Sequence, residues 1–229
     1  MSKRPKGEYD LIRSVLGALG VVKPDLKRRE TVDLIAIQPL LPHLKKRINL
    51  IGSKNSNQIY LDFLEFLLEL LNDKSRHLRE SSAYLLGWIA DPTTTPYFIE
   101  KIQIEKQPGV RIRILEALGR LKAKEAIPVI LKALDVKNWK VRRAAIEALE
   151  EINDLSVVSV LIKVLKNDKE ANVRAAAASS IGKFGSRKWT FELNMAFEKE
   201  PDDEVKFCIA EALNILGEPQ LLNSYLKET

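Results

Sequence analysis

The chain has one cysteine, two histidines and no long apolar run. Each shortage removes a class of protein. A single thiol, Cys208, cannot build an intrachain disulfide framework or a thiolate metal cluster, and it suits a reducing compartment such as the cytoplasm. His43 and His77 are far apart and belong to no His-Glu or His-x-x-x-His pair. No glycine-rich phosphate loop is present. The most apolar stretch, Ile59–Leu71, is interrupted by Asp62, Glu65 and Glu69 and is too short to span a bilayer. The opening MSKRPKGEYD is charged and has no apolar segment behind it, so no secretory signal is expected. These absences leave little to support catalysis, a resident cofactor or a metal.

What the chain does have is repetition. Leu78-Arg79, Val110-Arg111, Val141-Arg142, Val173-Arg174 and Val205-Lys206 mark five copies of one pattern. A spacing of about 30 residues is the signature of stacked helix pairs. Seven residues beyond each basic position stand Leu86, Leu118, Leu149, Ile181 and Leu213. Ten beyond stand Ile89, Leu121, Ile152, Phe184 and Leu216. These offsets share one helical face, so each unit opens with an amphipathic helix whose apolar stripe needs cover.

A second helix supplies the cover. Pro96–Ile104, Ile127–Leu134, Val157–Leu165, Phe191–Phe197 and Leu221–Leu226 are its expected spans, after breaks that include Asp91-Pro92, Asn153-Asp154 and Gly185-Ser186. Pro96 and Pro128 sit where a helix start tolerates a missing N–H. Gly87, Gly119 and Gly182 recur in mid-helix, where glycine costs about 1 kcal/mol relative to alanine. Three at one offset predict a neighbouring helix packed too close for a side chain. Unit three carries Glu150 there instead.

On these residues the chain resembles the HEAT-repeat family, in the short bacterial and archaeal form also found in phycobilin lyase subunits. The best copies are Asp168–Gly182 and Gly109–Leu134. The resemblance implies an all-α, right-handed superhelical solenoid over residues 59–229, with residues 1–58 as a helical cap. It also implies that second helices line the concave side. It carries no single function, because one fold hosts many.

Charge is placed unevenly. Residues 1–58 hold twelve Lys/Arg against five Asp/Glu, and the remainder is close to balance. Two clusters, Lys27, Arg28, Arg29 and Lys45, Lys46, Arg47, are candidates for a nucleic-acid patch or a solvated cap face. The ladder Arg79, Arg111, Arg142, Arg174, Lys206 admits two readings, a phosphate-tracking stripe or a brace between units. Asp73, Glu105, Asp135, Asp168 and Glu200 precede its members by six or seven residues, which favours the brace.

The second helices offer Tyr97, Glu100, Lys101, Lys132, Lys163 and Lys166, a mixed-charge surface suited to a protein rather than to a duplex. Trp139 and Trp189 are candidate interface anchors or seam covers, and Trp88 is a candidate core residue. The expected function is a non-enzymatic scaffold or adaptor that holds a protein partner and needs no cofactor. The alternatives are a bilin-lyase-type subunit that handles a tetrapyrrole, and nucleic-acid binding through residues 1–58.

Overall fold

The computed structural model describes residues 56–228. The expected cap and both of its basic clusters lie outside the described residues. Among those described there is no strand, and eleven α-helices follow one another. The leading helix α1 is Ser56–Leu70. Five helix pairs come after it: α2 Arg76–Ile89 with α3 Thr95–Ile104, α4 Pro108–Arg120 with α5 Ile127–Ala133, α6 Trp139–Ile152 with α7 Val158–Asn167, α8 Ala171–Lys183 with α9 Thr190–Lys199, and α10 Asp203–Ile215 with α11 Gln220–Glu228. Each pair is one of the units counted from the sequence. None of the described helices is long and apolar enough to cross a membrane.

The elements form for local reasons. A short 3-10 turn precedes the second helix of each of the first four units. Asp91 and Asp154 nucleate two of these turns by accepting the backbone N–H two residues ahead. Helix α2 ends on Ala90 and α6 on Asn153, both left-handed. Gly185 and Gly217 turn the chain out of α8 and α10 at positive φ, where a side chain would be strained.

The core is one continuous seam. Leu86, Leu118, Leu149, Ile181 and Leu213 are all fully buried. Burying a leucine or isoleucine is worth roughly 1.5–3 kcal/mol, so this column alone anchors every unit to the stack. Val110, Val141, Val173 and Val205, each just before its ladder residue, are buried beside it.

The glycines explain how closely units approach. A Cβ at Gly87 would lie 2.6 Å from the Ala117 Cβ, and one at Gly182 would lie 2.8 Å from both Cα and Cβ of Ala212. First helices therefore touch backbone to backbone at these points. Unit three meets the same demand differently. Its Glu150 accepts hydrogen bonds from Ser180 Oγ and Lys183 Nζ, each at 2.6 Å. A polar clasp stands there in place of the glycine contact, and α6 and α8 pack less extensively than α4–α6 or α8–α10.

First helices thus form a tight row, while successive second helices barely touch. Tyr97, Glu100, Lys101, Lys132, Lys163 and Lys166 all lie on second helices, away from the glycine contacts that join the first helices.

Candidate functional site

The ladder arginines sit in the seams between units. Arg79 donates through Nε and Nη2 to the two carboxylate oxygens of Glu105, at 2.8 and 3.1 Å. Arg142 grips Asp168 in the same two-pronged way at 2.7 and 2.7 Å, and Arg174 grips Glu200 at 2.9 and 2.7 Å. The third nitrogen, Nη1, donates to a backbone carbonyl six residues back: Asp73, Val136 or Asp168. Each acid also accepts a backbone N–H from its own loop, those of Gln107, Glu170 and Asp202. One carboxylate therefore ties the arginine of the preceding unit to the loop that opens the next.

These pairs are shielded from water; Arg142 is the most buried of the three arginines and Glu105 of the three acids. Burial by itself would push the Asp168 and Glu105 carboxyls up. The hydrogen bonds from Arg142 and Arg79, with the loop N–H donors and nearby positive charge, outweigh it and hold both carboxyls below their ordinary values. Bonding to Asp168 and Glu200 raises Arg142 and Arg174 correspondingly. Guanidinium groups occupied in this way brace the stack and are not available to a phosphate backbone. Lys206, the last ladder residue, reaches only Asp203 of its own helix, at 3.9 Å.

One rung departs from the rest. The bracing acid stands two residues before each first-helix cap, where Glu105, Asp168 and Glu200 are found ahead of caps Gln107, Glu170 and Asp202. Before the unit-three cap, Asn138, that position is Val136. Asp135, expected from spacing to serve this seam, is displaced by one residue, and its side chain is exposed. Arg111 is left with the Glu105 carbonyl at 3.4 Å, and its buried Nε has no partner among the described residues.

The second helices carry the candidate binding residues. Tyr97, Glu100, Lys132, Lys163 and Lys166 are exposed, whereas Lys101 is half-buried against Glu105 and Asn72. Sequence reasoning missed the apolar residues between them. Ile104 and Phe191 are 63% and 71% exposed, and Leu155 is also open. Phe191 and Met195 line a cleft of about 610 Å³ between α7 and α9, with Lys166 and Lys199 also lining it and Arg174–Glu200 in its wall. A smaller recess of about 370 Å³ lies over the Arg79–Glu105 rung.

Trp139 and Trp189 are half-buried against the core, and each lies under a neighbouring lysine, Lys140 at 5.7 Å and Lys188 at 5.0 Å from the ring centre. Trp88 is likewise partly buried against the core. On the first-helix row, the Arg113 guanidinium stacks 5.1 Å from the Tyr84 ring and pairs with Glu116 at 2.9 Å.

A family profile described as HEAT repeats matches residues 98–182 and 158–228, together more than half of the chain. A protein of Geobacillus stearothermophilus, "Uncharacterized protein in gldA 3'region", is 38% identical over 76 residues, which is 33% of this chain and 35% of that protein. The epoxyqueuosine reductase of Bacillus subtilis (strain 168) is 36% identical over 76 residues, 33% of this chain and 20% of the enzyme. The chain thus spans about a third or less of the length of these relatives. Among solved structures, the complex of CpcE and CpcF of phycocyanin lyase from Nostoc sp. PCC7120 is 20% identical, covering 95% of this chain and 83% of that one at a TM-score of 0.45.

Proposed function

We propose that this chain, which belongs to the HEAT-repeat family, is a non-enzymatic scaffold or adaptor that holds a protein partner on its second-helix face. The observation that carries this reading is Phe191. An aromatic ring 71% exposed beside Met195, in an open cleft shared with lysines, is costly to leave in water and matches the apolar centre and polar rim of a docking patch. Tyr97 and Ile104 are further exposed apolar residues on a second helix, α3. Glu100, Lys101, Lys132, Lys163 and Lys166 supply its polar and charged positions.

The mechanism is rigid display. Arginine braces fix three of the four seams between units, so the face is ordered before the partner arrives and little entropy is lost on docking. The single half-buried thiol is in keeping with work in a reducing compartment, the cytoplasm.

The test is site-directed photo-crosslinking in native extract. A photoreactive phenylalanine analogue at position 191 is expected to capture a discrete protein, and the same analogue at Arg143, exposed on the first-helix row, is not. Phe191→Ser should weaken the captured complex by about thirtyfold, the loss of one central aromatic anchor worth about 2 kcal/mol. Equal capture at both positions, or capture of nucleic acid alone, would count against the reading.

A further inference from the structure

We infer that the seam between units two and three is a binding position for a carboxylate carried on an acidic side chain of a partner polypeptide, with Arg111 as its receptor. The inference does not depend on the docking face proposed above, because it rests on the molecule's own repeats. Three sister seams show what this position holds. Arg79, Arg142 and Arg174 each present Nε and Nη2 to both oxygens of one carboxylate, at 2.7–3.1 Å. Arg111 has the same place in its unit, and its Nη1 turns to the equivalent carbonyl, that of Glu105. Only the acid is missing, because Val136 occupies its position.

The vacancy is costly. A buried donor on a cation, left without an acceptor, forfeits the full desolvation penalty of that group. No side chain of the neighbouring loop relieves it. Asp135 makes no ion pair among the described residues, and Lys137, exposed one residue beyond Val136, adds positive charge to the same loop. The position is therefore cationic, forked and shaped for a planar anion, the geometry in which arginine discriminates for carboxylate.

The seam is also within reach. At two sister seams the rung residues line solvent-open recesses, Arg79 with Glu105 in one and Arg174 with Glu200 in the other. Val136, which holds the position of the sister seams' acids, is only partly buried. In the sister seams the carboxylate arrives on one or two methylenes from a loop backbone. A partner segment running across the seam would deliver a glutamate or aspartate in the same way, displacing the Val136 side chain.

The experiment reads the arginine Nε–Hε resonances of the full chain by NMR. The probe is a capped five-residue peptide with a central glutamate, run beside its glutamine counterpart and beside acetate. The glutamate peptide should shift the Arg111 resonance saturably and leave those of Arg142 and Arg174 in place. The glutamine peptide should not shift it, and acetate should need a higher concentration. A Val136→Glu variant supplies the acid internally. Its Arg111 resonance should start at the shifted position, ignore the peptide, and accompany a raised melting temperature. If Val136→Glu fails to fold, Arg111→Lys keeps the charge without the fork, and the peptide-induced shifts of the backbone amides around Val136 and Arg111, saturable in the wild type, should be lost; amide shifts that persist in Arg111→Lys overturn the proposal. An Arg111 resonance that stays still, that follows the glutamine peptide equally, or that saturates with acetate at the same concentration overturns the proposal.

Discussion

Removing one bracing carboxylate should loosen the whole array. Asp168→Ala is the sharpest case because Arg142, which it strips of its acid, is the most shielded of the three bracing arginines. The substitution removes both acceptors of Arg142 Nε and Nη2 and the cap on the Glu170 N–H. Arg142 keeps the Val136 and Lys137 carbonyls, each at 3.0 Å, but loses its paired carboxylate while remaining buried. Breaking a buried pair by deleting one partner costs about 3–5 kcal/mol. Because Nη1 stays bonded, the lower end of that range applies. At about 2–4 °C per kcal/mol for a chain of this size, the melting temperature should fall by roughly 6–12 °C. Calorimetry on the wild type, Asp168→Ala, Arg142→Ala and the double variant measures the coupling. A fall of less than about 2 °C, or a double variant equal to the sum of the singles, would refute the view that these seams are braces.

Other outcomes follow from the same geometry. The folded-state pKa values of Asp168 and Glu105 are depressed, so their contribution to stability is fully present above the unfolded carboxyl pKa of about 4 and disappears as pH falls through the lower folded values. Wild type should therefore lose stability steeply below about pH 4, and Asp168→Ala less steeply, in acid-titrated denaturant melts. Gly182→Ala places a methyl 2.8 Å from Ala212 Cα and should destabilise by about 1–3 kcal/mol in urea unfolding. Cys208 lies half-buried, and burial is the main influence pushing its thiol up, so native protein should react slowly with a thiol reagent at neutral pH and quickly once unfolded.

The architecture was legible because the core demands it. Leu86, Leu118, Leu149, Ile181 and Leu213 recur at one offset, and no other arrangement buries all five. The glycines announced close packing for a reason equally local: only a missing Cβ lets Gly87 meet Ala117. The bracing acids were less legible. The bracing position is six residues before the next ladder residue and two before its helix cap; Asp135 stands seven before Arg142, one residue out of place, and Val136 holds the position. The Glu150–Ser180–Lys183 clasp joins residues about 30 apart, and neither end signals the other. Phe191 was passed over because an aromatic at helical spacing reads as core until its exposure is seen.

The stacking of first helices through their small residues is tested most directly by proton–proton NOEs on methyl-labelled protein. The account predicts cross-peaks from the Ala117 methyl to the Gly87 Hα and from the Ala212 methyl to the Gly182 Hα, with a further contact between Gly119 and Ala148. Their absence in a folded sample would contradict it.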